Sequence, residues 1–300
     1  MINYTDYSKT MLGAITGDTI GSAYEFQNTK DYNFTLFLGD SAYTDDSVMT
    51  MAVAYWLLKD KKHSYQGLED IMVMFGENCP CPMGGYGGGF YTWLFFPEDL
   101  HNFDDRFGDA PYVSKTGRHP YGSWGNGSAM RVSAVGWFFD TLEKTEQIAA
   151  ISAAITHNHP EGIKGAQATA ASIWMARNGK TKEEIRDYIE RTYGYDLHKT
   201  YEYWHPIYHW ESGCQGTVPQ AIIAFLDSID FEDAMRKAVS LGGDSDTLAC
   251  ITGGIAEAFY KEIPRSMAER VARPFPGIFN KILDAVRAET VYGETCKIVD

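Results

Sequence analysis

Apolar residues recur at helical spacing along most of this 300-residue chain. Such spacing predicts helices, and capping residues at the segment ends mark where each helix begins and stops. Only 32–38 and 112–114 have a weak strand-like pattern. We therefore expect an all-α protein in which residues 1–300 form a single compact multi-helix domain. Helices are predicted at 46–58, 129–139, 147–157, 161–178, 182–193, 218–227, 231–241, 246–260 and 276–288.

The composition narrows the classes of partner. A formal net charge of −14 argues against general electrostatic binding of nucleic acid or of an anionic membrane surface. No stretch reaches the roughly 20 apolar residues of a membrane-spanning helix, and the N-terminus lacks a secretory signal pattern. The five cysteines are scattered, which favours free thiols in a reducing compartment. Together these features predict a soluble, cytoplasmic protein.

Two short acidic blocks lie near opposite ends of the sequence, each directly before a predicted helix. The first reads Thr-Asp-Asp-Ser at 44–47, and the second reads Gly-Gly-Asp-Ser-Asp-Thr at 242–247. Carboxylates with neighbouring hydroxyls form a hard-oxygen set that suits Mg²⁺ or Mn²⁺. If the fold brings the blocks together, they predict a two-metal site. The candidate ligands are Thr44, Asp45, Asp46, Asp244, Asp246 and Thr247.

Helix capping is the alternative explanation for both blocks, because Thr, Asp and Ser are favoured at the N-cap and in the first turn. In the first block, Thr44 or Asp45 is expected to cap the helix at 46–58. In the second block, Asp244 and Asp246 follow a Gly-Gly turn and stand two positions apart, so that both can reach one ion. The occurrence of two similar blocks favours the metal interpretation.

Gly13, Gly17 and Gly21 recur every four residues and would form a smooth stripe on a helix. Close packing against another helix explains these glycines. Asp18 and Glu25 are harder to explain, because an apolar helix has little structural use for a carboxylate. Glu25 follows the stripe and is a candidate metal ligand or general base, with a salt bridge or a cap as the alternative.

Two segments rich in Gly and Pro, 79–90 and 116–127, interrupt the helical pattern. Long irregular segments in compact domains are usually functional or disordered, and the aromatic residues here argue against disorder. Glycines before a helix can offer backbone N–H groups to an anion, typically phosphate. Tyr86 and Trp124 are candidates for stacking on a base or a ribose, with plain packing as the alternative.

His157 and His159 stand at the end of a predicted helix. A histidine in this position is commonly a cap that complements the dipole at the helix C-terminus. We interpret His159 as such a cap, and we expect His157 to contact a ligand.

Six motifs, taken in order, resemble those of the ADP-ribosylglycohydrolase family, which includes dinitrogenase-reductase-activating glycohydrolases and hydrolases of ADP-ribosyl-serine and ADP-ribosyl-arginine. Each motif alone is weak, whereas the ordered set is specific and runs from Gly13 to Tyr260. Ser47 and Ser245 stand where the family often has threonine, and both keep a hydroxyl. The motifs are GAITGDTIGSAYE (13–25), YTDDSVM (43–49), GYGGGF (85–90), GSWGNGSAMR (122–131), THNH (156–159) and GGDSDT (242–247).

The resemblance implies an all-α fold with a central cleft that holds two Mg²⁺ or Mn²⁺ ions, and it implies a monomer. The six candidate ligands match the family's two metal motifs, whose ions hold the hydroxyls of the ribose that is attacked. The second glycine segment matches a loop that cradles a diphosphate, and His157 matches a ligand-contacting histidine. The candidate catalytic residues are Glu25, Asp45, Asp46 and Asp246. The candidate binding residues are Tyr86, Gly87, Gly122, Ser123, Trp124, Gly125 and His157.

The chain is therefore expected to be a metal-dependent hydrolase that cleaves the bond between ADP-ribose and an acceptor. Its expected partner is ADP-ribose or an ADP-ribosylated substrate. The acceptor stays open among a protein side chain, a nucleobase and a small molecule. Two alternative functions are a non-catalytic ADP-ribose-binding module and a two-metal nucleotide phosphohydrolase.

Overall fold

Helices form nearly all the regular structure of the computed structural model, which describes residues 11–100 and 110–289 together with the backbone of 297–299. The all-α prediction is confirmed. Two described strands, β1 (Glu262–Pro264) and β2 (Lys297–Val299), pair in parallel. The helices are α1 (Leu12–Gly21), α2 (Asp45–Lys59), α3 (Tyr65–Asn78), α4 (Gly88–Phe95), α5 (Gly127–Met130), α6 (Ser133–Phe138), α7 (Leu142–Ala154), α8 (Pro160–Arg177), α9 (Lys182–Tyr193), α10 (Tyr201–Trp204), α11 (Cys214–Leu226), α12 (Phe231–Ser240), α13 (Ser245–Tyr260), α14 (Arg265–Ala272) and α15 (Gly277–Glu289).

Most predicted helices are present with ends shifted by a few residues, and α9 has its predicted bounds. The helix predicted at 129–139 is wrong as one element, because the chain turns between α5 and α6. Arg131 and Val132 lie there with ψ of −6° and −4°, away from regular helical values. The periodicity missed α3, α4, α10 and α14, and α4 begins inside the segment 79–90 that was expected to be irregular.

The weak strand predictions at 32–38 and 112–114 are wrong, because side chains rather than a partner strand bind these segments. Arg236 Nη1 donates to the carbonyl oxygens of Tyr32 and Phe34, at 3.3 and 3.0 Å. In the second segment, the hydroxyls of Tyr112 and Ser114 donate to the buried carboxylate of Glu69. Neither segment forms a ladder of backbone hydrogen bonds, so neither is a strand.

The glycine stripe of α1 packs directly on α13, as expected, and this contact positions one side of the site. A Cβ atom at Gly17 would lie 1.9 Å from the carbonyl oxygen of Ala249, and one at Gly21 would lie 2.3 Å from that of Ser245. Only glycine allows this approach of two backbones. The two helices run antiparallel, so the C-terminal end of α1 meets the N-terminal end of α13. Glu25 is thereby brought to the second acidic block.

Most buried apolar residues from Met11 to Val286 form one hydrophobic cluster. The prediction of one domain over 1–300 extends beyond the described residues and stays a prediction. Four cysteines are free thiols, and the fifth, Cys296, lies outside the described residues. Among the helices described here, none combines the length and the apolar character that crossing a membrane requires.

Candidate active site

A cleft of about 340 Å³ opens where the two acidic blocks, the segment after α1 and both glycine-rich segments meet. Three predicted site residues, Thr44, Gly122 and Trp124, do not line it. The predicted residues that line it are Glu25, Asp45, Asp46, Tyr86, Gly87, Ser123, Gly125, His157, Asp244, Asp246 and Thr247.

In the first acidic block, Thr44 is the N-cap of α2, and its hydroxyl oxygen accepts from the backbone N–H of Asp46 at 3.2 Å. The same hydroxyl donates to Asp18 Oδ1 at 2.7 Å. Thr44 is fully buried behind the cleft. The capping interpretation therefore holds for Thr44, whereas Asp45 and Asp46 line the cleft.

Asp18 holds the first acidic block from behind. Its carboxylate accepts from the backbone N–H groups of Thr44 and Ser47, at 3.0 and 3.1 Å, and from both of their hydroxyls. These residues flank Asp45 and Asp46, so Asp18 fixes the start of α2. Burial raises the pKa of Asp18 to about 6, and the hydrogen bonds from Ser47 and Thr44 oppose that rise.

The second acidic block begins on a glycine turn, where Gly242 and Gly243 have φ of +75° and +78°. Asp244 occupies the N-cap position of α13 but makes no capping hydrogen bond. Its Oδ2 instead accepts from Asn126 Nδ2 at 2.8 Å. Capping therefore does not explain the second block, because Asp244 is held by a side chain from the glycine-rich segment.

The fold brings the two blocks together although they are 201 positions apart, since Thr247 Oγ1 donates to Asp46 Oδ1 at 3.3 Å. Glu25 joins them. Carboxylate oxygens of Glu25, Asp244 and Asp246 all lie within 4.8 Å of one another.

The proximity of these buried carboxylates disfavours their ionised forms in the absence of a cation. Burial first, and then the charges of Asp244 and Asp18, raise the pKa of Glu25 to about 7. Burial is also the largest cause that raises the pKa values of Asp45, Asp46 and Asp246 well above the ordinary value, and the charges of neighbouring acids add to it. Like charges in a desolvated space produce this pattern.

A divalent cation fits this donor set. Asp46 Oδ2 is fully buried and has no hydrogen-bond partner among the described residues. An ionised oxygen left in that state is costly, and a cation satisfies it. All the donors are oxygens, which hard ions such as Mg²⁺ and Mn²⁺ prefer. The residues that would hold such an ion are Glu25, Asp45, Asp46, Asp244, Asp246 and Thr247.

The first glycine-rich segment forms one wall of the cleft. Met83 pairs with Thr44 in a short parallel bridge, which fixes the segment against the first acidic block. The Tyr86 hydroxyl donates to the carbonyl oxygen of Cys79 at 2.8 Å, so its ring is held at the wall. A Cβ atom at Gly87 would meet nothing within 4 Å. The cleft is therefore open at Gly87.

In the second glycine-rich segment, Ser123 and Gly125 line the cleft. Gly122 turns away, because its N–H donates to Asn158 Oδ1 at 2.8 Å. The Trp124 ring is 53% exposed and packs edge-on against His159. Stacking of a ligand on Trp124 therefore has no support in the cleft geometry, and this ring packs on protein instead.

The two histidines have different surroundings. His157 is buried and its ring lines the cleft. Burial, followed by the nearby charge of Arg131, lowers the pKa of His157 well below its usual range, so the ring is neutral. His159 Nδ1 accepts from the N–H of Glu161 at 3.1 Å and caps the N-terminus of α8. The interpretation of His159 as a C-terminal cap is wrong, because the chain starts a new helix at Pro160.

Sequence reasoning missed several residues that line the cleft, among them Asn126, Arg131 and Trp210. Asn126 and Arg131 belong to the motif at 122–131, so their sequence position was the available signal. No sequence signal indicated Trp210, because its loop before α11 reaches the mouth of the cleft only through the tertiary fold. There the Trp210 ring stacks on Phe26, with centroids 5.9 Å apart and planes 17° apart.

The fold and the cleft define an all-α protein with a carboxylate-rich site beside glycine loops. A family model described as ADP-ribosylglycohydrolase matches residues 5–296, and the chain belongs to this family.

Two named relatives are distant in sequence. The chain is 26% identical over 324 residues to the human (Homo sapiens) protein named ADP-ribosylhydrolase ARH3, covering 85% of this chain and 86% of that protein. It is 24% identical over 287 residues to ADP-ribosylarginine hydrolase Tri1 of Pseudomonas putida (strain GB-1), covering 87% of this chain and 73% of the relative. A solved structure titled "ADP-ribosylglycohydrolase-related protein complex" shares the fold, with a TM-score of 0.63, 22% identity and coverage of 95% and 98%.

Proposed function

We propose that this chain is a hydrolase that cleaves the bond between ADP-ribose and an acceptor and depends on two Mg²⁺ or Mn²⁺ ions. The observation that carries the proposal is the meeting of both acidic blocks and Glu25 in one cleft. The same cleft is also lined by glycine backbone, Ser123 and His157. A binding site for an ADP-ribosyl group needs one end that binds the ribose hydroxyls and another end that binds the diphosphate. We further propose that the enzyme is monomeric and cytoplasmic.

In this proposal, the carboxylates of the cleft have different roles in the reaction. A bound divalent cation would orient the ribose hydroxyls and polarise an oxygen at the reacting centre. Glu25 accepts a proton from the attacking water, the water oxygen bonds to the anomeric carbon, and the bond to the acceptor breaks with its electron pair. The departing acceptor takes up the proton from Glu25. The remaining carboxylates favour the positive charge that develops on the sugar ring in such reactions.

The proposal places the acceptor at the mouth of the cleft beside Glu25. Phe26 follows Glu25 directly and is 71% exposed, and its stacking partner Trp210 lines the cleft. Exposed stacked rings at a cleft mouth suit a bound group better than bulk water.

Release of ADP-ribose from defined conjugates tests the proposed function. The conjugates carry ADP-ribose on arginine, serine, a nucleobase or an O-acyl ester, and release is followed by mass spectrometry with Mg²⁺, Mn²⁺ or excess EDTA. We expect release of intact ADP-ribose that requires the cation and is lost in the double variant Asp45→Asn/Asp46→Asn. Glu69→Gln is the matched control, because Glu69 is a buried carboxylate outside the cleft.

The same assay separates the alternative functions. Phosphate release from ADP-ribose itself indicates a nucleotide phosphohydrolase. Tight ADP-ribose binding with no turnover of any conjugate indicates a binding module. Undiminished ADP-ribose release by the double variant, or in EDTA, contradicts the proposal.

A further inference from the structure

Arg131 is a buried cation in the wall of the cleft. The residue is 1% exposed, and the ionisable groups that act on its pKa are Tyr121 and Cys214 rather than a carboxylate. Burial lowers the pKa of Arg131 to about 10, so the group is charged at neutral pH. A buried charge without a counter-ion is unfavourable. Its local contacts therefore indicate what the charge does.

The guanidinium of Arg131 binds the segment that leads to His157. Its Nη2 donates to the carbonyl oxygen of Ser152 and to Thr156 Oγ1, both at 2.8 Å. An arginine is only a donor, so Thr156 Oγ1 accepts in this hydrogen bond. The Thr156 hydroxyl keeps its own proton for a second partner.

That second partner is His157. Thr156 Oγ1 lies 2.7 Å from His157 Nδ1, and Thr156 is fully buried. Among the described residues, Arg131 and His157 are the partners of this hydroxyl. The Thr156 proton is therefore donated to Nδ1, which acts as the acceptor. In a neutral imidazole the proton then resides on Nε2.

The Nε2 atom of His157 faces the second glycine-rich segment. A Cβ atom at Gly127 would lie 3.1 Å from this nitrogen, and one at Gly125 would lie 3.5 Å from it. The Tyr121 ring packs on the imidazole, with centroids 6.0 Å apart. The ring is thus held in place and directs an N–H group at the wall where Ser123 and Gly125 line the cleft.

We propose that Arg131 and Thr156 are positioning residues that hold His157 as the Nε2–H tautomer, so that its ring donates to the diphosphate of the bound nucleotide. This inference rests on the proposed function for the identity of the ligand. The chain of donors runs in one direction, from the guanidinium through the hydroxyl to the imidazole. A neutral donor fixed in advance binds a diphosphate oxygen without a change of protonation state.

The tautomer is measured by ¹⁵N NMR on protein with labelled histidine side chains, in the ligand-free state. The His157 signals are identified by their loss in His157→Gln. We expect a non-protonated Nδ1 and a protonated Nε2 in the wild-type protein. A protonated Nδ1 overturns the proposal, and this readout does not depend on any enzymatic activity.

The hydrogen-bonded chain from Arg131 through Thr156 to His157 is called the relay. Two variants of Thr156 test its function. Thr156→Val removes the hydroxyl at similar volume, and Thr156→Ser keeps it. For Thr156→Val we expect the preference for the Nε2–H tautomer to weaken and the Kd for ADP-ribose, measured by calorimetry, to rise about three- to tenfold. The kcat is expected to stay within about twofold, because the diphosphate is not the reacting group. Thr156→Ser is expected to match the wild type within about twofold.

Wild-type affinity of Thr156→Val for ADP-ribose overturns the proposal, as does equal loss in the valine and serine variants. If the wild-type protein binds no ADP-ribose, the proposed function and the diphosphate contact fail together. The NMR measurement still decides whether Arg131 and Thr156 fix the tautomer. The two failures are therefore distinguishable.

Discussion

At one end of the cleft, carboxylate oxygens of Glu25, Asp244 and Asp246 lie within 4.8 Å of one another, and Asp46 Oδ2 has no hydrogen-bond partner among the described residues. At the other end, hydrogen bonds within the protein connect the polar side chains, because Arg131 binds Thr156 and Thr156 binds His157. In the proposed function, a cation completes the first end, whereas hydrogen bonds organise the second end before any ligand arrives. The difference teaches that cation removal and loss of the relay should have separable effects. Four predictions test this contrast, from the largest expected effect to the smallest.

The largest effect is expected at the acidic end. Asp246→Asn removes a carboxylate that lies within 4.8 Å of Glu25 and Asp244. We expect kcat/KM for ADP-ribose release to fall by more than about a hundredfold, because direct ligands matter more than outer partners, whose loss costs about 10–100-fold. Steady-state kinetics at saturating Mg²⁺ measures this loss. If kcat/KM falls by less than tenfold and the cation affinity equals that of the wild type, Asp246 is not part of the site.

Asp18→Asn is expected to weaken cation binding about 10–100-fold. Its carboxylate fixes the block that contains Asp45 and Asp46, although Asp18 itself does not line the cleft. Titration with Mn²⁺ followed by electron paramagnetic resonance measures the affinity.

The matched control for Asp18 is Glu257→Gln. Glu257 is equally buried and accepts from the backbone N–H of Gly13 at 2.8 Å, at the far end of the contact between α1 and α13. We expect this variant to lower the melting temperature without changing the Mn²⁺ affinity. Equal losses of affinity in both variants would show that Asp18 acts only through general stability.

Cation removal is expected to make stability dependent on pH. The folded-state pKa of Asp18 is raised to about 6 and that of Glu25 to about 7, mainly by burial, above their ordinary values of 3.8 and 4.5. A carboxyl with a raised pKa contributes stability that is present below its unfolded pKa and is lost as the pH rises through its folded pKa. In EDTA, the melting temperature should therefore fall by several degrees between about pH 4 and pH 7.

Saturating Mg²⁺ is expected to flatten that pH dependence, because bound cations stabilise the ionised carboxylates. Scanning calorimetry across the pH range, with and without Mg²⁺, provides the measurement. Identical profiles in both conditions would mean that the carboxylates hold no cation.

The smallest effect is expected at the wall of the cleft. Gly87 has φ of −55° and open space at its Cβ position, so Gly87→Ala is expected to fold normally. The added methyl group should lower ADP-ribose affinity about fivefold, or about 1 kcal/mol, by crowding the ligand. Gly39→Ala is the control, because Gly39 also has open space but lies outside the cleft. Calorimetric titration of both variants decides whether the ligand approaches Gly87.

Local patterns in the sequence predicted many of the helices and the meeting of carboxylates at the acidic end of the cleft. Each acidic block is contiguous and directly precedes a helix, so its candidate ligands could be named before the fold was known. The glycine stripe predicted a close helix contact, and Gly17 lies against α13 as expected. Asp18 and Glu25 stood out because a carboxylate is unusual beside that stripe.

The other end of the cleft depends on contacts between distant segments, which no local pattern contains. Arg131 reaches a residue 25 positions away to set the histidine, and Trp210 arrives from a loop far from the motifs. The same limit explains why Gly122 and Trp124 were assigned to the cleft. They lie in the correct segment, but the backbone turns Gly122 toward Asn158 and leaves the Trp124 ring outside.

The most direct test of the central claim is a crystal structure of the wild-type protein with Mn²⁺ and ADP-ribose, using anomalous scattering to locate the ions. We expect two anomalous peaks among Glu25, Asp45, Asp46, Asp244 and Asp246, with the distal ribose against them and the diphosphate beside Ser123 and His157. Mn²⁺ sites elsewhere, or ADP-ribose bound outside this cleft, would contradict the account.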